Sequence, residues 1–368
     1  MANIIPMSVG VNNQSVNVKL TESGARDIVW RQFGTSFEGK NVNVEDAISE
    51  IGADFNVSKQ PLIRVPQEVY DAIKNGTPLD SLNLSTANLI TSHCATVRDD
   101  HDFTLGVVGS EYSVAQNIES LAFVDMLEEV SGHKVDITSG GVLGKGETFF
   151  LQGKLDKSCF LNDGKDAVEH YVVFTNGHSG NSALCVYFTP IRVVCQNSLS
   201  LSLRNANKVV FKHTKNLKTR LDWEIEENRK RALEVFKRSV RFTDEFEKAM
   251  MTLKGKTVTK NDTLDFVAKL YLNDAAFKLY QQNNRMWDNV DEISTRTKNQ
   301  LNGLLDSIYN GIGQKGYYEG TALHLINGLT THQNNVLTYK DADAQFKSQV
   351  LGTENDRLNK AYSILMAA

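Results

Sequence analysis

Residues 171–195 constrain the fold more than any other segment, because two β-type runs flank a cluster built to reverse the chain. Tyr171-Val172-Val173-Phe174 ends in Asn176-Gly177-His178-Ser179-Gly180, where Gly and Asn supply the positive φ that a tight reversal needs. The second run carries Ala183 to Phe188, is expected to break at Pro190, and resumes as Ile191-Arg192-Val193-Val194-Cys195 before Asn197 and Ser198. Strand alternation sets Arg192 and Val194 on one face and Ile191, Val193 and Cys195 on the other.

Upstream, 1–25 is rich in Asn, Ser and Val with weak periodicity, which predicts a flexible or strand-adding arm. From Val42 the pattern reads as a short strand and then a helix capped by Asn43 and closed by Gly52. A second short helix follows Val65-Pro66 and stops at Asn75-Gly76. Cys94 to Val108 reads as two strands around an Arg98–Asp102 turn. A helix is predicted over Ile118–Val130, then a strand pair at Gly140-Gly141 and Glu147–Leu155. The second half changes period. Trp223–Leu253 predicts one long helix with no Gly or Pro, followed by helices at Thr263–Tyr271, Asp274–Gln282, Thr297–Asn310, Thr321–Thr331 and from Asp341 to the end. The expected class is α+β: a mainly antiparallel sheet with helices in the first part and a helical C-terminal part. The expected division is an arm at 1–25, a mixed α+β domain at 26–221 holding the central polar motif and a basic tract, and a helical domain at 222–368.

Composition narrows the function classes. Of the 368 residues 41% are hydrophobic, 23% are charged and five are proline, which predicts a chain that folds throughout. No window approaches the ~20 apolar residues of a membrane span, and the first residues lack a signal-peptide pattern, so no membrane association and a cytoplasmic location are expected. Cys94, Cys159, Cys185 and Cys195 show no CxxC spacing and read as buried thiols. Two glycine loops contain lysine, at 310–316 and 140–146. Neither has the Ser or Thr that must follow the lysine of a phosphate cradle, so no nucleotide cofactor and no ATPase activity are expected.

The central segment admits three chemistries. A thiol nucleophile would use Cys195 activated by His178 with Arg192 and Asn197 nearby. Zinc would need His178, Cys185 and Cys195, but the spacing is unpaired and a fourth ligand is lacking, so no metal is expected. The third reading is architectural: Asn176, His178, Arg192, Gln196 and Asn197 as a buried or interfacial polar network.

The net charge of −4 conceals an asymmetry: 1–191 holds 13 Lys and Arg against 24 Asp and Glu, whereas 204–241 holds 12 against 5. Arg204, Lys208, Lys212, His213, Lys215, Lys218 and Arg220 fall within 17 residues together with Phe211. Outward lysines of a strand can track a phosphate backbone, and a neighbouring aromatic can stack a base. The alternative is an edge strand blunted by lysine. Further along, Glu226 with Lys230 and Glu227 with Arg231 are i,i+4 pairs that suit a solvated helix face.

The Asn-x-His-x-Gly turn and the Arg-Val-Val-Cys-Gln-Asn run resemble the phage/plasmid-like protein family, domain of unknown function 932, carried by phages, prophages and conjugative plasmids. IGADFNVSKQPL, LGVVGSEYSVAQNIESLAF and GTALHLINGLTTHQNN resemble further blocks of it, so the likeness spans nearly everything after residue 25. It departs at Ser179, where members often carry an acidic residue, and near Leu323, where they carry an aromatic. The resemblance implies a mobile-element origin. With the basic tract it leads to the expectation of a homo-oligomeric nucleic-acid-binding protein, acting on single-stranded DNA in annealing, replication or recombination. The alternatives are an enzyme centred on His178 and Cys195, and an anti-defence factor that occupies a host protein.

Overall fold

A computed structural model describes residues 5–7, 16–18, 34–37, 39–85, 87–132, 134–161, 166–192, 197–198, 208–222, 224–312, 314, 318–340, 344–345, 348–349 and 352–367. Strands β1 (Ile5–Met7) and β2 (Val16–Val18) pair with each other in a two-stranded antiparallel ribbon, the described part of the expected arm. After β3 (Thr35–Ser36), helix α1 (Val44–Glu50) starts where the Asp46 amide donates to Asn43 Oδ1. It ends just before Gly52, whose φ of +66° disfavours any side chain.

Strand β4 (Val57–Arg64), helix α2 (Gln67–Lys74), strand β5 (Asn88–Arg98) and strand β6 (Phe103–Gly109) follow, and β4-β5-β6 form a small antiparallel sheet. Helix α3 (Glu119–Ser131) leads into β7 (Val135–Leu143), β8 (Thr148–Leu161), β9 (Asp166–Gly177), β10 (Leu184–Arg192), β11 (Asn197–Ser198) and β12 (Lys208–Phe211). These build the large antiparallel sheet in the order β11-β10-β9-β8-β7-β3, with β12 also on the β10 edge.

The expected break at Pro190 does not occur. Strand β10 runs through it, with Pro190 opposite His170 of β9. On its other edge β10 pairs with β12 over Leu184–Tyr187 and with β11 at Ile191–Arg192. Among the described residues no partner on that edge lies opposite Pro190, and proline in a sheet is tolerated where its missing N–H faces such an edge.

The chain then turns helical: α4 (Leu217–Arg220), α5 (Glu226–Gly255), α6 (Lys260–Tyr271), α7 (Asp274–Gln282), α8 (Thr295–Asn310) and α9 (Ala322–Thr331). Thr259 and Asp262 form a reciprocal capping box at the start of α6. A π-helical turn, His332–Val336, extends α9. Of the helix expected from Asp341 to the end, 344–345 are helical, 348–349 π-helical and α10 runs over Thr353–Ala367, while 341–343, 346–347 and 350–351 lie outside the described residues.

A large apolar core draws on residues from Phe37 to Leu365, and a separate small cluster holds Phe55, Val57 and Leu105. The sheet contributes Phe149, Leu151, Val172 and Phe174, α3 contributes Val124 and Leu127, and α5 adds Phe246, Met250 and Leu253. Helix α9 is buried along its whole length, as its continuous apolar pattern demands. Its Gly328 lies so close to α8 that a Cβ there would stand 2.6 Å from Ile308 Cα. Among the described residues no helix is long and apolar enough to cross a membrane.

Candidate functional site

The end of β9 and the following turn sit between the two sheets. Gly106 of β6 makes this contact possible, since a Cβ there would come 2.6 Å from the Ser179 backbone. Gly180 holds a φ of +82° in the turn. Thr96 Oγ1 of β5 donates to the His178 carbonyl at 2.6 Å, and the His178 amide donates to Glu147 O at 2.9 Å, so both sheets fix the residue through its backbone.

The His178 side chain is fully buried. Its Nε2 lies 2.9 Å from Asn117 Oδ1, an acceptor, which assigns the proton to Nε2 and leaves Nδ1 as a buried atom without a partner. Burial, and secondarily the charge of His213, lower its pKa to about 3, so the ring is neutral at physiological pH. Asn117 Nδ2 donates to Ala53 O at 3.0 Å, and Asn176 Nδ2 donates to Ala115 O at 2.8 Å. Phe55 meets the imidazole edge-on at 6.1 Å.

The polar network expected from sequence is therefore present at Asn176 and His178, but its third member is Asn117. Arg192 and Asn197 pair with each other across β10 and β11, and Arg192 lies opposite Val168. Val168 is nine residues from Gly177 along β9, about 30 Å at strand rise, so the topology separates Arg192 and Asn197 from His178. Cys195 and Gln196 lie outside the described residues. Cys185 is buried opposite Thr175, and among the described residues no three His, Cys, Asp or Glu side chains gather as a metal site.

The basic tract lies along the β10 edge and continues past it. Arg204 lies outside the described residues, Lys208 pairs with Tyr187 in the ladder, and Arg220 closes α4. Val210 and Lys212 are exposed and Phe211 and His213 buried, the alternation the pattern implies. That alternation removes two of the expected contacts. Phe211 packs edge-on against Phe123 at 6.4 Å, and His213 Nδ1 donates to Ser113 O at 2.9 Å, so neither ring can meet a nucleobase. Burial lowers the His213 pKa, and nearby Lys218 lowers it further, against the opposing effect of the Ser113 hydrogen bond.

What His213 does instead is support Tyr112. The two rings stack at 4.7 Å with 13° between their planes, and Tyr112 Oη donates to Gly177 O at 2.8 Å. Tyr112 lines a groove of about 470 Å³ together with Lys59, Glu111, Gln116, Lys215 and Lys218. Lys59 Nζ donates to Ser110 O at 2.9 Å and Tyr112 O at 3.0 Å, which aims the ammonium and leaves its third proton for another acceptor. Lys218 pairs with Glu119 on the surface, an exposed ion pair worth at most about 1 kcal/mol. Of the expected basic contacts, the structure thus brings Lys215 and Lys218 to one groove and leaves Lys212 exposed outside its lining. Sequence reasoning missed Lys59 and Tyr112, which are separated from the tract by over ninety positions.

A family model, Domain of unknown function (DUF932), matches residues 104–361. The chain belongs to the DUF932 family. No curated protein and no solved structure matches it. The DUF932 match takes in Tyr112, Asn117, His178, the basic tract and every helix from α3 to most of α10, whereas Lys59 and Thr96 precede it.

The DUF932 region holds a second buried polar centre. Ser307 Oγ of α8 donates to Gly303 O at 2.7 Å and so accepts from His332 Nδ1 at 3.1 Å, leaving His332 Nε2 buried without a partner. Burial first, then the Arg357 charge, lower the His332 pKa to about 4. Gln333 Nε2 donates to the buried Glu354 carboxylate at 3.1 Å, which pairs with Arg357, whose guanidinium covers the Tyr271 ring at 4.4 Å.

Proposed function

We propose that this chain is a phage- or plasmid-type protein that binds single-stranded DNA along the Tyr112 groove, as a homo-oligomer, and serves annealing during replication or recombination of a mobile element. The observation that carries the reading is the groove itself: a basic tract on an otherwise acidic chain brings Lys215 and Lys218 to one groove with Lys59 and Tyr112. Annealing needs a positive track and exposed base faces but no nucleotide hydrolysis, which suits a chain whose glycine loops lack a phosphate-cradle pattern. The Lys218–Glu119 pair is weak enough for a phosphate to displace the carboxylate.

A salt titration tests this. Binding of a labelled oligo(dT) should weaken with log salt at a slope of about −0.7 per phosphate contact, and Lys212→Ala/Lys215→Ala/Lys218→Ala should flatten it by roughly 2 units. Absence of single-strand binding at low salt would overturn the reading.

A second reading, capture of a host or other protein, draws on a different surface. Ile63 and Leu89 face each other in the β4–β5 register and are 51% and 61% exposed. The enzymatic alternative has less support, since His178 is sealed from solvent.

A further inference from the structure

The groove differs from a simple basic patch in having a rigid aromatic wall. Tyr112 is clamped in three ways: its backbone amide donates to Gly109 O at 2.9 Å, its hydroxyl donates to Gly177 O, and His213 stacks on one face of the ring. His213 is itself held by Ser113, with reciprocal hydrogen bonds from His213 Nδ1 to Ser113 O and from the Ser113 amide to His213 O at 3.2 Å. Tyr112 is half-buried and is one of the residues that line the groove, while His213, stacked on its ring, is buried. An aromatic whose orientation is fixed before binding loses little entropy on contact, and every nucleobase offers a flat π-face of matching size.

We propose that the groove-facing side of Tyr112, backed by His213, is a stacking platform for one unpaired nucleobase, with Lys59 and Lys215 flanking it to receive the adjacent phosphates. The platform rests on the nucleic-acid reading above and sharpens it, because a paired base inside a duplex cannot present its face to the ring. It also assigns the aromatic role that the sequence pattern had given to Phe211. Stacking reads no base edge, so the platform accepts any base and confers preference for single strands over duplex.

The test compares parent, Tyr112→Phe, Tyr112→Leu and Tyr112→Ala proteins by anisotropy on three probes: oligo(dT), a strand of equal length made of abasic sugar-phosphate units, and duplex DNA. On oligo(dT), the Leu and Ala variants should bind about 5- to 100-fold more weakly than the parent, and Tyr112→Phe within about threefold of it. On the abasic strand and the duplex all four should bind alike, with unchanged salt slopes, because the ring neutralises no phosphate. If Tyr112→Ala and Tyr112→Leu match the parent on oligo(dT), the platform is wrong while the lysine-lined groove stands. Equal losses on the abasic strand would also overturn it, by exposing a structural effect. If the parent binds none of the three probes, the nucleic-acid reading falls and the platform falls with it.

Discussion

Two buried imidazoles, one in each half of the molecule, solve the same problem differently. His178 is held by groups from both sheets and from the 115–117 segment, all far away in sequence apart from Asn176. His332 is held by Ser307 and the Gly303 backbone of one neighbouring helix, within a centre that also contains an ion pair. Both rings are neutral and each keeps one nitrogen without a partner. The difference lies in reach. The His178 centre touches the groove, because Gly177 accepts the Tyr112 hydroxyl, whereas the His332 centre sits among helices α8, α9 and α10. Damage to the first should therefore disturb both folding and binding, and damage to the second folding alone.

The sharpest break of that contrast is His178→Ala. It takes from Asn117 Oδ1 its closest donor and opens a void between the sheets, a loss of about 3 kcal/mol or more in urea denaturation, accompanied by weaker oligo(dT) binding. If stability falls while binding is intact, the two sites are uncoupled. Acid comes next. Both folded pKa values lie below the ordinary 6.5, at about 3 for His178 and about 4 for His332, so the unfolded chain takes up protons first. Their contribution is complete above pH 6.5 and is lost progressively as pH falls through 4 toward 3. It amounts to a few kcal/mol for each histidine, at ~1.4 kcal/mol for each pH unit that separates the folded from the unfolded value. Denaturation midpoints measured from pH 7 to pH 4 should fall throughout, and a flat profile would remove the assigned neutral tautomers.

Smaller effects separate the halves further. Gly106→Ala forces β6 away from the Ser179 turn and should cost about 1–3 kcal/mol, read from the melting temperature. Ser307→Ala removes one hydrogen bond to His332 and should cost about 1 kcal/mol with oligo(dT) affinity unchanged. The smallest change in stability belongs to the triple lysine variant, within about 0.5 kcal/mol of the parent, although its binding slope should change most.

The α+β class and most of the longer elements were legible in the order of residues alone, because they follow from periods of 2 and 3.6 and from local caps such as Asn43 opening α1 and Gly52 ending it; β3, β4 and α4 were not read, and the short strand expected from Val42 does not form. So was the side of the 208–213 strip that faces out, since Lys212 and Val210 alternate with Phe211 and His213. What those faces meet was settled by packing. Pro190 stays in a strand because β10 is long and pairs with β9 on both sides of it, a fact about the sheet rather than about proline. Asn117 replaces Arg192 in the polar network because β10 carries Arg192 to the far end of the sheet. Tyr112 takes the aromatic place expected of Phe211 because residues a hundred positions apart converge on one groove. Local pattern specifies a residue's direction within its own element. Its partners depend on how the elements pack, and that long-range geometry is not written in any single stretch of the chain.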